Sequence, residues 1–245
     1  MKKPFSVPAV LIALVPVFLT VPLGADPAGT GPGALSPAAG EAGGPGSWTD
    51  RLTFSFGGTL LFFLENNGME GDASPVIPSF GAALAFHIWG PLSVEMTEDL
   101  YFTYYDYSDN LKRAVHVDRE NRSAFVFGFF TGLQLMARFP LTGFLSIRAY
   151  GGPAADLRIV ARADSRHPDD ADMSEKANAV RQYFGSGARW FYPVIGTGLD
   201  FAVNERFLVG LDLRLWFPLY RVWTKEKLPA SEGWRLGAGL RFTIR

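Results

Sequence analysis

The sequence predicts an all-β fold, an eight-stranded antiparallel transmembrane β-barrel built as an up-and-down meander. Three observations predict it. Segments in which every second residue is apolar recur along the chain, and this is the period of a strand with one apolar face. The connections between these segments alternate between short and long. Beyond residue 25, no uninterrupted apolar run approaches the roughly 18 residues that a transmembrane helix needs, so a membrane domain would cross as strands.

Reading alternate residues gives eight candidate strands. The last, Glu232–Arg245, shows the pattern most clearly, because one face carries Trp234, Leu236, Ala238, Leu240, Phe242 and Ile244. Its other face carries arginine, glycine and threonine, and it is expected to close the barrel against the first strand. The other seven candidates are Arg51–Leu64, Ser79–Trp89, Leu92–Phe102, Ser123–Phe139, Leu145–Ile159, Ala188–Val203 and Phe207–Val222. Glu98 interrupts the apolar face of the third strand and is the poorest fit to the pattern.

The connection lengths favour a membrane barrel over a soluble one. The short connections are Gly90-Pro91, Pro140–Gly143 and Asn204–Arg206, and the long ones are Glu65–Pro78, Asp106–Arg122, Arg162–Gly187 and Trp223–Ser231. This alternation is typical of bacterial outer-membrane barrels, whose short turns are periplasmic and whose long loops are extracellular. A soluble lipocalin-like barrel would instead turn its apolar positions inward. Within the longest loop, Met173–Tyr183 is expected to form a short surface helix.

The N-terminal part of the chain predicts export. Residues 1–25 contain Lys2 and Lys3, an apolar run and a small pair at Gly24-Ala25, which is the layout of a secretory signal peptide. Residues 26–47 are dominated by Gly, Ala and Pro, so they are expected to form a flexible periplasmic leader. Residues 48–245 are assigned to an outer-membrane barrel with both termini in the periplasm and the long loops extracellular.

Composition argues against several classes of function. The net charge of −1 provides no basic field, so a nucleic-acid partner is not expected. The absence of cysteine argues against disulfides and against lipoprotein acylation. The three histidines, His87, His116 and His167, accompany neither a nucleophile motif nor metal-ligand spacing. The chain is therefore not expected to be an enzyme or to hold a metal or cofactor.

The inward positions of the lower and middle lumen, on the side of the short turns, predict a charged network. An eight-stranded barrel has an interior just wide enough for its own side chains, and an unpaired buried charge is costly. The network is expected to contain Glu95, Asp99, Arg138, Arg148, Asp200, Asp212, Arg214 and Arg241. Its simplest interpretation is a plug that holds the barrel together.

The inward positions of the upper lumen are mostly apolar and predict a ligand chamber. They are Leu61, Phe63, Tyr101, Val126, Phe130, Trp190, Val194 and Trp216, beside Asp156, Arg158 and Arg235. A chamber of this kind above a polar plug could receive a small hydrophobic molecule from outside and release it sideways into lipid. The alternative is ordinary packing of the barrel mouth.

The eight strands, the apolar upper lumen, the segment Gly151-Gly152-Pro153-Ala154-Ala155-Asp156-Leu157 and the C-terminal strand together resemble the OmpW-type small outer-membrane barrels. The resemblance extends over roughly Thr49–Arg245. It implies a narrow channel for uptake of small hydrophobic molecules, contact with outer-membrane lipid, and recognition of the last strand by the barrel assembly machinery. The chain ends in Ile244-Arg245 rather than in the aromatic residue usual for that signal. The alternative function is a closed structural or surface-adhesion barrel without transport.

Overall fold

The computed structural model describes residues 51–65, 75–162, 170–226 and 232–245, so the predicted signal peptide and leader lie outside the described residues. The strands are β1 (Leu52–Leu64), β2 (Val76–Trp89), β3 (Leu92–Ser108), β4 (Arg113–His116), β5 (Ala124–Pro140), β6 (Leu145–Gly152), β7 (Ala154–Arg162), β8 (Val194–Ala202), β9 (Phe207–Trp216) and β10 (Trp234–Ile244). The helices are α1 (Asp170–Gly185) and α2 (Arg221–Thr224). Neither of these described helices is long and apolar enough to cross a membrane.

The strands close into an antiparallel ring. β6 and β7 are two parts of one strand, because both pair with β5 and only Pro153, which has no N–H to donate, separates them. β4 pairs with the end of β3 and lies outside the ring, so eight strands remain in it. The ring closes where β10 pairs with β1, from Phe54 opposite Ile244 to Leu64 opposite Trp234. The predicted eight-stranded antiparallel barrel is confirmed.

Alternation sorts the side chains onto two faces of the barrel wall. The outer face carries large exposed apolar side chains on every part of the ring, among them Leu60, Phe80, Phe102, Leu133, Leu135, Ile195, Leu211, Leu213 and Leu240. The inner face carries buried polar and charged side chains together with glycines. A continuous exposed apolar surface of this extent is unusual for a protein surrounded by water.

Two predicted strands are shorter in the structure. β8 begins at Val194 rather than Ala188, because residues 187–190 form a turn in which Gly187 and Ala188 have φ values of 60° and 49°. β9 ends at Trp216 rather than Val222, because the following Pro218 has no N–H for the ladder and the chain turns into α2. The apolar alternation in the sequence continues past the true strand ends, around Pro193 before β8 and Pro218 after β9.

The end of the barrel that carries the long connections, called here the loop end, is covered by further structure; the opposite end is called the turn end. α1 contains the predicted helix Met173–Tyr183 and packs on β3, β4 and β7. Its buried residues Ala177, Val180 and Phe184 share a hydrophobic cluster with Tyr105, Ala114, Ala124, Val126 and Val160. We call β4 and α1 the cap. β4 was not predicted, because four residues are too few to display a period.

Candidate functional site

A network of ion pairs crosses the lower and middle lumen. It connects β3, β5, β6, β8 and β9, so it joins strands on opposite sides of the ring. The contacts are Arg138 Nε to Asp200 Oδ2 at 3.0 Å, Arg148 Nε to Asp200 Oδ2 at 2.8 Å, Arg148 Nη2 to Asp212 Oδ1 at 3.3 Å, Arg214 Nε to Asp212 Oδ2 at 2.6 Å, and Arg214 Nη1 to Asp99 Oδ2. Six of the eight residues predicted for the charged network lie in this chain of contacts.

The other two predicted residues, Glu95 and Arg241, form a separate buried pair. Arg241 Nη1 donates to Glu95 Oε1 at 2.9 Å, and its Nη2 donates to Ser55 Oγ at 3.0 Å. Ser55 Oγ in turn lies 2.9 Å from Thr243 Oγ1. This pair therefore connects β3 with the closing strands β1 and β10.

Glycines on the inner face make room for the large side chains of this level. A Cβ atom at Gly198 would lie 2.6 Å from Arg148 Nη2, and one at Gly196 would lie 2.3 Å from the Tyr150 ring. The Tyr150 hydroxyl donates to Asp212 Oδ1 at 2.8 Å. Arg148 itself has no exposed surface. Side chains of the barrel thus occupy the space beside these glycines.

Above the ion pairs, the predicted chamber residues form a packed layer. Tyr101 lies between Phe63 and Phe130, with ring centroids 5.3 Å away in both directions. Phe130 stacks on Trp216 at 4.8 Å. We call Phe63, Tyr101, Phe130 and Trp216 the aromatic layer; Leu61 and Val194 are buried in the same cluster. These rings pack against one another where the sequence predicts a ligand chamber.

Two predicted chamber residues lie elsewhere. Val126 is buried closer to the loop end, in the cluster formed with α1. Trp190 is 44% exposed and contacts Phe191, with ring centroids 6.0 Å apart, so its assignment to the lumen is wrong. The reason is the turn at residues 187–190, which precedes β8 and breaks the alternation. Tyr192 is the buried aromatic residue of this segment instead.

Buried charged side chains form a third level of the lumen, at the loop end. Arg235 Nη2 donates to Glu65 Oε1, and the Arg235 guanidinium lies 3.9 Å from the centroid of the Phe63 ring. Arg158 Nε donates to Asp156 Oδ2 at 2.8 Å, and its guanidinium lies 4.3 Å from the Phe184 ring of α1. We call Glu65, Asp156, Arg158 and Arg235 the mouth cluster. Sequence reasoning placed Glu65 in a loop, although it continues the inward alternation of Leu61 and Phe63.

Tyrosine hydroxyl groups join the mouth cluster to the aromatic layer and to the hydrophobic cluster shared with α1. Tyr101 Oη donates to Asp156 Oδ1 at 2.5 Å, and Tyr105 Oη donates to Glu65 Oε2 at 3.3 Å. In the part of the chain that the structure describes, no three His, Asp or Glu side chains are grouped so that they could hold a metal ion. Charged groups of the lumen contact one another, and Asp99, Arg214 and Arg241 also border a small cavity in their part of the barrel.

The pKa of Glu65 predicts an acid-sensitive mouth cluster. Burial raises this pKa, but the attraction of Arg235, Arg158 and His116 outweighs burial and holds it below its ordinary value of 4.5. A lowered folded-state pKa stabilises the fold above the ordinary value, and this stabilisation is lost as the pH falls through the folded-state pKa. Below pH 4.5, the free energy of unfolding should therefore fall more steeply for the wild type than for Glu65→Gln. Urea unfolding in lipid vesicles between pH 7 and pH 3 measures both slopes, and equal slopes would contradict this role for Glu65.

No family model matches the sequence, and a comparison with curated proteins also finds no match. Solved structures similar to this chain include Neisserial surface protein A, with a TM-score of 0.47 and 8% identity over 79% of this chain and 96% of that one. The outer membrane protein OprG from Pseudomonas aeruginosa has a TM-score of 0.44 and 11% identity over 79% and 96%. The attachment invasion locus protein Ail of Yersinia pestis has a TM-score of 0.41 and 9% identity over 79% and 95%. Because these values are low, the functional argument rests on this chain's own residues.

Proposed function

We propose that this protein is a closed outer-membrane barrel that holds a structured cap at the cell surface, with a structural or surface-interaction role and no transport or catalytic role. The observation that carries the proposal is the filled lumen. The ion-pair network, the aromatic layer and the mouth cluster follow one another along the barrel axis. Arg148 and Trp216, at two of these levels, are 0% and 2% exposed.

The outer wall supports the membrane placement. It presents apolar side chains around the ring, and at the turn end it exposes Trp89, Phe139 and Phe144, the residue type that is enriched where a barrel meets the lipid headgroups. In this proposal the turn end and both termini are periplasmic, and the cap is extracellular. Outer-membrane lipid is the partner of the wall, and the barrel assembly machinery is the partner of β10 during insertion.

The loop end, which includes the cap, supports a surface role because its connections are tied to one another. Arg113 Nη1 lies 2.6 Å from Glu232 Oε1, and Arg189 Nε donates to Glu226 Oε1 at 2.7 Å. These contacts join parts of the chain that lie more than 30 residues apart in sequence. A surface that is already ordered loses little conformational entropy when a partner binds, so a fixed cap suits recognition better than gating does.

The second candidate is a channel for small hydrophobic molecules, as the family resemblance implies. The apolar character of the aromatic layer favours it, since a hydrophobic solute would be compatible with those side chains. Passage would require the stacked rings of Phe130 and Trp216 to separate, and then Arg148 to leave both of its aspartates. The buried and mutually paired state of these groups favours the closed barrel.

Solute uptake into proteoliposomes distinguishes the two functions. Vesicles containing the wild-type protein should take up a small hydrophobic dye at the rate of protein-free vesicles, because the proposed barrel is closed. Vesicles containing the Arg214→Ala variant test whether weakening the network creates a path. Faster uptake by the wild type than by protein-free vesicles would reject the closed barrel and support the channel.

A further inference from the structure

Glu98 is a carboxyl-bearing residue on the apolar outer wall. Its neighbours in β3, Thr97 and Asp99, are buried in the lumen, whereas Glu98 shares the outer face with Met96 and Leu100. Thr131 Oγ1 of β5 donates a hydrogen bond to Glu98 Oε2. The closed-barrel function gives this carboxyl group no role.

Glu98 lies in a narrow row of small and polar residues that runs across four strands. Ala82, Glu98, Thr131 and Ala155 are direct partners on β2, β3, β5 and β7, and we call them the Glu98 row. The adjacent row toward the loop end holds Phe80, Leu100, Phe129 and Leu157, and the adjacent row toward the turn end holds Leu84, Met96 and Leu133. Phe80 and Leu133 are 58% and 55% exposed, so large apolar side chains flank the polar row.

A carboxyl group that faces hydrocarbon is costly, and ionisable residues at membrane depth usually mark a site of interaction. The neutral form costs least in such surroundings, and it has an O–H donor as well as acceptor capacity. Because Thr131 acts as a donor toward Glu98, the carboxyl group retains its own O–H for an acceptor outside the row. Lipid chains offer no acceptor, so a protein partner is the better match.

We propose that the Glu98 row is a contact between two copies of this chain, in which the two Glu98 carboxyl groups hydrogen-bond to each other. Both copies enter the membrane in the same direction, so a two-fold axis along the membrane normal would bring Glu98 of each copy together at the same height. In such an interface the same surface of each copy must fit itself. A neutral carboxyl group meets this requirement, because it both donates and accepts a hydrogen bond. Ala82 and Ala155 allow the two walls to approach closely. This inference rests on the membrane placement in the proposed function.

Cysteine cross-linking tests the contact, because the chain has no cysteine of its own. Leu100→Cys places a thiol beside Glu98 on β3, and the matched control Leu213→Cys places one on β9, four strands away on the opposite side of the ring. Each variant is reconstituted in lipid vesicles, labelled with lipid-soluble and water-soluble maleimides, and oxidised in parallel samples. Denaturing gel electrophoresis then measures the disulfide-linked dimer.

Leu100→Cys should form about ten times more dimer than Leu213→Cys, the ratio expected if one polar contact in lipid favours association by the usual amount. Adding Glu98→Leu to Leu100→Cys should remove this excess, whereas Glu98→Gln should keep it, since an amide also donates and accepts. Equal dimer yields at both positions, or an excess that survives Glu98→Leu in folded protein, would overturn the contact alone. Labelling of both cysteines by the water-soluble reagent would overturn the membrane placement and the contact with it.

Discussion

Replacement of Arg148 by alanine is expected to lower the free energy of unfolding by about 3–5 kcal/mol, the usual cost of leaving buried charges without their partner. Arg148 is fully buried and lies between Asp200 and Asp212, at 2.8 Å and 3.3 Å. Its loss would leave Asp200 and Asp212 with one arginine each, Arg138 and Arg214, instead of two. Urea unfolding in lipid vesicles, followed by tryptophan fluorescence and by the gel mobility of the folded barrel, measures the change.

Two further variants separate the loss of pairing from a general effect of removing arginine. Arg206→Ala removes an exposed arginine from the turn between β8 and β9 and should leave the free energy of unfolding nearly unchanged. Adding Asp212→Asn to Arg148→Ala should restore part of the lost stability, because it removes one of the two buried carboxylates that lost an arginine partner. If Arg148→Ala were no more destabilising than Arg206→Ala, the ion-pair network would not hold the barrel together.

Replacement of Trp216 by alanine should also cost about 3–5 kcal/mol, the range for deleting a buried aromatic side chain and leaving a cavity. Trp216 stacks on Phe130, and a Cβ atom at Gly237 would lie 2.8 Å from its ring, so the indole occupies a close-fitting space. The same unfolding assay measures the loss.

Trp89→Ala is the matched control for Trp216→Ala, because Trp89 is 76% exposed at the turn end. It should cost far less than Trp216→Ala, since its removal creates no internal cavity. Equal losses at the two positions would show that the aromatic layer is not a packed core. An open chamber at Trp216 would predict such equality, because a residue lining free space has few contacts to lose.

The wall of the barrel could be predicted from the sequence because each strand alternates with a period of two. That period assigned Tyr101 and Phe130 to the lumen and Leu211 and Leu213 to the outer face, and the structure places them so. The two-residue period gave the wrong face for Trp190. The turn before β8 interrupts the strand, so counting alternate residues no longer tells which side chains point into the lumen. Glu65 was missed because the inward alternation of β1 continues one residue beyond the apparent end of the strand.

The contents of the lumen could be predicted as a set of side chains but not as an arrangement. The two-residue period places Glu95 and Asp99 on the same face of β3. In the structure, however, Glu95 pairs with Arg241 and Asp99 pairs with Arg214. The choice depends on how the strands are staggered around the ring, which no single strand encodes. Whether the upper level is a chamber or a packed layer depends on how the rings of Tyr101, Phe130 and Trp216 are oriented relative to one another, and alternation carries no information about that.

Ion conductance of the wild-type protein in a planar lipid bilayer tests the central claim, that the lumen is closed, most directly. An open porin inserted under the same conditions provides the positive control. The proposed closed barrel predicts that the inserted protein adds no conductance steps to the bare bilayer, with the ion-pair network, the aromatic layer and the mouth cluster as the obstruction. Reproducible steps from the wild-type protein would contradict the closed barrel.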